Sequence, residues 1–303
     1  MKVLVLGCKG QLGLCLRDQL EHTTHEVVFA SRDHIDVADF YATKHSICEI
    51  SPDIVINATA YTAVDKAEKD KEMANLINHL AVENIAICCN KLDCWLIHIS
   101  TDYVFDGTSR IPYKEDDQTN PQGIYGETKL RGEQTIQSSG CRHIIIRTAW
   151  VYSEYGNNFL KTMLRLGANR SELRIVGDQT GCPTYAQDIA CAISTVLPHI
   201  MSNNDFIGTY NYAGDRSCSW ADFARTIFDQ AIQLNIIGSK PRVKSISTKD
   251  FPTLAKRPLL SQLDSNKFDT TFGIRPSNYL MGVRSSIEAL QNLNGKNIFL
   301  DKV

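Results

Sequence analysis

Tyr125 and Lys129 stand four residues apart in the run Tyr-Gly-Glu-Thr-Lys. On a helix that spacing puts both side chains on one face, about 6 Å apart along the axis. A free phenol has a pKa of about 10 and is a slow acid or base near neutrality. An ammonium beside it favours the phenolate and draws that pKa toward the working range. Upstream, Ser100-Thr101-Asp102 closes the apolar run Cys-Trp-Leu-Ile-His-Ile, and the hydroxyl of Thr101 is suited to hold a substrate oxygen beside the phenol. These are the parts for reducing a ketone, with the proton coming from Tyr125. The hydride source has its own mark. Gly7, Gly10 and Gly13 lie between the apolar residues 3–6 and a stripe of Leu12, Leu14, Leu16 and Leu20, with Gln11 inside the turn. Such a strand–turn–helix unit lets a dinucleotide pyrophosphate approach the backbone and meet the unpaired N–H groups of the helix start. A Tyr-x-x-x-Lys pair alone is commonly an exposed helix pair; its place downstream of the glycine turn and Ser-Thr-Asp turns it toward catalysis.

Positioning these groups requires alternating strands and helices. Apolar strand-like runs at 3–6, 26–30, 53–57, 94–100 and 142–148 alternate with helical patterns at 11–22, 39–50, 71–91 and 125–138, which predicts a parallel sheet joined by crossovers. The expected class is α/β, a Rossmann-type doubly wound sheet over 1–150. A smaller C-terminal α/β substrate domain over 151–303 follows, with about 184–213 returning to the sheet through a helix at 186–197 and a strand at 208–212. Later helices are expected at 219–234 and 279–293. In an open parallel sheet ligands sit beyond the carboxyl ends of the strands. That places Thr101, Asp102 and the segment 57–62 at the cofactor edge.

Composition excludes several functions. The 303 residues carry a net charge of −2 with mixed signs, so no basic stripe offers itself to nucleic acid. No apolar run approaches membrane-spanning length and no signal peptide precedes the first strand, so a cytoplasmic protein is expected. Ten cysteines are scattered without a Cys-x-x-Cys pair and read as reduced core thiols. Cys89, Cys94 and His98 superficially resemble a metal cluster but straddle a buried strand, and no metal is assigned.

Several longer stretches make the chain resemble the dTDP-4-dehydrorhamnose reductase family, within the extended short-chain dehydrogenases/reductases. They are the glycine turn in its G-x-x-G-x-x-G form, Asn57-Ala-Thr-Ala-Tyr61-Thr62-Ala-Val-Asp65-Lys-Ala-Glu68, Ser100-Thr-Asp-Tyr-Val-Phe-Asp-Gly107 and Tyr125-Gly-Glu-Thr-Lys129. Arg147-Thr-Ala-Trp150-Val-Tyr152, Gly156–Leu164, Asp178–Thr184 and Arg257-Pro258 with Ser261–Asp264 extend the likeness to about residue 290. The resemblance implies NADPH- or NADH-dependent reduction of dTDP-4-dehydro-6-deoxy-L-mannose to dTDP-L-rhamnose. It also implies that Thr59, Ala60, Tyr61 and Thr62 line the cofactor, that Thr101 and Asp102 contact the sugar, that Tyr125 and Lys129 serve catalysis and ribose binding, and that Trp150 packs on the substrate. Asp102 as the cap of the next turn and Trp150 as core remain open readings. Asn158, Gln179 and Arg257 are candidate contacts to the nucleotide, with surface the alternative for the first two; the planar fork of Arg257 suits a diphosphate. Asp65 and Glu68 read as a capped, solvated helix start.

Related sugar-nucleotide dehydratases carry Thr-Asp-Glu where this chain has Thr101-Asp102-Tyr103, so the carboxylate for water elimination is missing and simple carbonyl reduction remains. The second strand ends in Phe29-Ala30-Ser31-Arg32, and a serine with a guanidinium suits a 2′-phosphate; Asp33 and Asp36, beside Val37, suit ribose hydroxyls instead. NADPH is therefore preferred, with NADH accepted. Family members that hold Mg²⁺ between subunits do so through carboxylates, and this chain has Cys15 and Gln187 where two are expected, so Mg²⁺ is doubtful. A monomer or weak homodimer is expected. The competing readings are a non-catalytic partner resembling the methionine adenosyltransferase β-subunit, and an epimerase that retains its NAD.

Overall fold

Five apolar runs become parallel strands: β1 (Lys2–Leu6), β2 (Glu26–Ala30), β3 (Ile54–Asn57), β4 (Trp95–Thr101) and β5 (His143–Thr148). A sixth strand, Gly208–Asn211, pairs with β5 and completes the order Gly208–Asn211, β5, β4, β3, β1, β2. The computed structural model describes residues 1–294. Side chains alternate across a pleated strand, and here both faces are apolar. Val3, Val5, Ile54, Ile56, Trp95, Ile97, Ile144 and Ile146 point to one side, where they meet the helices Gln11–Leu20, Ala186–Ser202 and Asn266–Phe272. Leu4, Leu6, Val55, Leu96 and Ile145 point to the other, against Phe40–Ile50, Ala81–Leu92 and Ile136 of the helix Ile124–Ser138. Burying a side chain of this size contributes about 1.5–3 kcal/mol, so the sheet is held mainly by these two layers. This is the doubly wound α/β arrangement. Its strand order reverses beside β1, which puts the ligand crevice at the carboxyl ends of β1, β3 and β4.

The pattern-based element limits differ from the structure at several points. The expected helix 71–91 is a helical run, Lys71–Asn75 and Ala81–Leu92, interrupted by a π turn at Leu76–Leu80. That turn buries Asn78, whose amide bonds the backbone of Tyr61 in both directions and donates to Thr128 Oγ1. The helix 186–197 does not stop before Pro198 but runs to Ser202. Proline removes a single backbone hydrogen bond there, while Val196, Leu197 and Ile200 on either side remain packed in the core.

In the second half a separate core gathers around Phe223, Phe228, Leu160 and Val283. It includes the helix Phe159–Asn169 and the parallel strands Glu172–Val176 and Arg242–Ile246, which have only weak periodicity. The helix Trp220–Gln233 opens on a reciprocal cap between Ser219 and Asp222. Among the described residues no helix is long and apolar enough to cross a membrane.

Candidate active site

The glycine turn is closed by contacts that admit no side chain. Gly7 has φ +83°, and a Cβ on Gly13 would lie 2.2 Å from the Gly7 carbonyl oxygen. The helix Gln11–Leu20 therefore starts hard against the end of β1. Gly10 is its N-cap and no side chain caps it, so its first N–H groups stay available to an anion. Across the turn, Gln11 Oε1 accepts from Asn158 Nδ2 at 2.8 Å and from Ser153 Oγ at 3.2 Å. Asn158 also caps the helix Phe159–Asn169 through Lys161 N.

The helix carrying Tyr125 and Lys129 is set from outside itself. Glu68 Oε1 accepts from Ile124 N at 2.9 Å, supplying a cap that Gly123 cannot. Gly126 permits close approach to the end of β4, since a Cβ there would meet the Tyr103 carbonyl oxygen at 2.2 Å. Thr101, not Asp102, caps the short turn after β4: its hydroxyl accepts from Tyr103 N. Asp102 is 2 % exposed; Oδ1 accepts from the Thr101 hydroxyl at 3.1 Å and Oδ2 has no hydrogen-bond partner. Burial pushes its carboxyl up to about 6, only partly offset by the nearby Ser261 hydroxyl, which makes no hydrogen bond to it within normal distance, and by the Thr101 hydroxyl.

A cavity of about 610 Å³ opens over these elements, within the range of small-molecule sites. It brings together Gly10, Gln11, Leu12, Thr59, Ala60, Thr62, Thr101, Asp102, Tyr125, Lys129, Trp150, Asn158 and Arg257. Gly7 and Gly13 shape its floor without lining it. Trp150 is half-buried: it packs against two apolar clusters and also lines the cavity, with φ +47° and a stack on Trp220 at 3.4 Å between ring centroids and 4° between planes. A strained backbone of this kind persists only where its surroundings hold it. Arg257 also reaches the cavity, with one terminal nitrogen 2.7 Å from Asp65 Oδ2. Asp65 thus holds a guanidinium, and Glu68 a helix end; neither is simply a solvated helix start.

Other expected residues stand apart from the cavity. Tyr61 turns its hydroxyl to Asp70 at 3.0 Å. Gln179 is buried, bonded to Thr248 and to the indole N–H of Trp220, so it touches the cavity wall from behind rather than facing in. Ser31, Arg32, Asp36 and Val37 lie past the end of β2. Ser31 is buried beside His34, and Arg32 is exposed and paired with Asp36 at 3.2 Å. Cys15 is buried and Gln187 donates to Gln19. Among the described residues no cluster of acidic, His or Cys side chains is arranged for a metal ion, and all ten cysteines are free. Thr148, Tyr152 and Trp220 also line the cavity without having been singled out as site residues, and so does Tyr103, which was read only as the residue standing in for a dehydratase carboxylate.

The proton chemistry differs from the sequence-based expectation. Burial pushes the Tyr125 phenol up to about 12, against a hydrogen bond with Thr101 that pulls it down. Lys129 does not lower it here: its Nζ donates to Ile99 O at 2.6 Å and lies 3.2 Å from His98 Nε2. Burial also pulls Lys129 down to about 8, opposed by the charge of Glu133. Near neutrality the phenol is therefore a stored proton, the state a general acid needs. Glu133 is itself buried against Arg147 Nε and Nη2, the latter at 2.7 Å, and accepts from Ser100.

Sheet, glycine turn and this cavity define a doubly wound dinucleotide-binding oxidoreductase of the extended short-chain type. The description "RmlD substrate binding domain" fits residues 1–292. A dTDP-4-dehydrorhamnose reductase of Sinorhizobium fredii is 40% identical over 299 residues, 98% of this chain and 100% of that one. The crystal structure of a dTDP-4-dehydrorhamnose reductase from Clostridium acetobutylicum matches with a TM-score of 0.89 at 36% identity, covering 96% of this chain and 100% of that one. The corresponding Bacillus anthracis reductase, solved in complex with NADP, matches at 0.88 with 33% identity, covering 95% and 99%. The chain belongs to the RmlD family of dTDP-4-dehydrorhamnose reductases.

Proposed function

We propose that this chain reduces the C4 ketone of dTDP-4-dehydro-6-deoxy-L-mannose to dTDP-L-rhamnose, with NADPH preferred and NADH accepted. The observation that carries the reading is the convergence of Thr101, Asp102, Tyr125, Lys129 and Trp150 on the one cavity that the glycine turn also borders. The uncapped helix start at Gly10–Leu12 and the Thr59–Thr62 edge fit a dinucleotide, and Ser31 and Arg32, past the end of β2, fit a 2′-phosphate. When bound, the nicotinamide supplies the hydride. Everything else falls to the protein. Tyr125 carries the proton for the carbonyl oxygen, Thr101 holds that oxygen, and Lys129, one turn on, is the cation available to the phenolate left behind. Asp102 offers a buried acceptor to a sugar hydroxyl, and the stacked Trp150–Trp220 pair an apolar wall. Arg257, oriented by Asp65, is the guanidinium for the diphosphate.

Tyr103 stands where a dehydratase needs a carboxylate, and packs edge-on to Tyr125 with ring centroids 5.5 Å apart. That supports reduction over elimination. The non-catalytic alternative is not favoured, since the similar proteins named above are reductases. A cytoplasmic monomer or weak homodimer without Mg²⁺ completes the reading. The test is NADPH consumption on adding dTDP- and other nucleotide-linked 4-keto sugars, with product identified by NMR. Turnover giving dTDP-L-rhamnose supports the proposal. No turnover with any keto sugar, or purified protein that retains NAD⁺ and interconverts epimers, overturns it.

A further inference from the structure

Behind Lys129 lies a buried chain of polar groups with no other evident task. Asn57 at the end of β3 and His98 opposite it on β4 are both fully buried. Asn57 Oδ1 accepts from Thr59 N at 3.1 Å and from Thr59 Oγ1 at 2.6 Å. A backbone N–H is always a donor, so the amide cannot be turned round without placing two donors together. Its Nδ2 therefore faces His98 Nδ1, 3.2 Å away, and Nδ1 must be the accepting nitrogen. A neutral imidazole then carries its proton on Nε2, the atom 3.2 Å from Lys129 Nζ. An ammonium there would set N–H against N–H. A neutral amine fits both contacts: it accepts from His98 Nε2–H through its lone pair and donates to Ile99 O at 2.6 Å.

We propose that His98 is a positioning residue for the reduction described above, its tautomer set by Asn57 so that it can hold Lys129 only as a neutral amine, turned away from Tyr125. Protonation of Lys129 makes the His98 contact repulsive and releases the ammonium toward the cavity that both Lys129 and Tyr125 line. The other groups around Lys129 are consistent with this. Glu133, one turn further along its own helix, favours the ammonium but is engaged by Arg147 and Ser100. Asp102 and Tyr125 stand on the cavity side, where the released charge would be welcomed. Burial independently holds the His98 imidazole well below its usual range, so imidazolium does not compete.

The proposal deepens the reductase reading and is tested so that the two fail separately. In the cofactor-free full-length protein, long-range proton–nitrogen NMR of labelled histidines reports the His98 tautomer without any turnover. The expected result is protonated Nε2 and bare Nδ1 throughout the stable pH range. The opposite tautomer, or an imidazolium at neutral pH, overturns the proposal. His98→Gln supplies the second arm, because its amide is free to present a carbonyl to the ammonium. The alkaline limb of the kcat/KM profile, which reports the free protein, should then move up by about one pH unit. A uniform loss of rate with the limb unmoved marks His98 as structural filling only and overturns the positioning role. Wild-type protein with no reductase turnover but the expected tautomer sinks the functional reading and leaves the tautomer assignment standing.

Discussion

Replacing Asp102 by asparagine should make the protein more stable and less active at once. The carboxyl is 2 % exposed, has one oxygen without a partner, and is pushed by burial from 3.8 up to about 6. A rise of about two pH units corresponds to about 3 kcal/mol by which the folded state disfavours the charged form. Because the folded value lies above the unfolded one, the deficit is fully present above about pH 6. It is relieved as pH falls toward the unfolded value of about 4. Asp102→Asn removes the charge and with it the deficit. In a chain of this size, 3 kcal/mol moves the unfolding temperature by about 5 °C. The amide's own unmatched N–H costs about 1–3 kcal/mol, but that cost is independent of pH. The decisive quantity is therefore how the difference in Tm between variant and wild type changes from neutral pH to about pH 4. It should shift by roughly 5 °C in favour of the wild type. Turnover should fall about 10- to 100-fold with the loss of a charged acceptor for the sugar. A Tm difference that stays constant with pH would refute the argument, since it would mean that the charge of Asp102 is not strained in the folded protein.

Three further outcomes follow from the geometry. Tyr125→Phe should fold normally and lose about 10²- to 10⁴-fold in kcat through absence of the proton donor; circular dichroism and steady-state kinetics check both halves. Arg32→Ala should narrow the preference for NADPH over NADH by about tenfold, the worth of one hydrogen bond to a charged group, with little change in Tm because Arg32 is exposed. Glu133→Gln leaves the buried Arg147 without its counter-charge and should destabilise the fold by about 3–5 kcal/mol, read by denaturant titration.

Much of the site could be seen in the chain because local rules carry it. The glycine turn needs residues without a Cβ at fixed offsets, a phenol and an amine four apart must share a helix face, and Ser100-Thr101-Asp102 ends a strand whose position in a parallel sheet implies a crevice. What escaped was decided by residues far apart in sequence. Nothing near Lys129 signals that His98 will take its Nζ, so an ammonium lowering the Tyr125 pKa was the natural expectation. Asp65 gave no hint of Arg257, nor Glu68 of Ile124, because each pair is joined only by the fold. The helix from 186 outruns its expected end at 197 because burial of the residues around Pro198 outweighs one lost backbone bond. The pair Glu172–Val176 and Arg242–Ile246 went unseen because its strands are half-exposed and about seventy residues apart.

The sixth strand of the sheet has a consequence for synthesis on the ribosome. β5 carries three consecutive isoleucines, Ile144, Ile145 and Ile146, and its outer neighbour is supplied only by Gly208–Asn211. Until that stretch has emerged, a nascent chain that has already assembled β1 to β5 presents an oily, unpaired edge to every other growing polypeptide. Such an edge is a template for mispairing. Truncations ending between residues 150 and 207 should accordingly clump rather than persist as a small free-standing nucleotide-binding fragment.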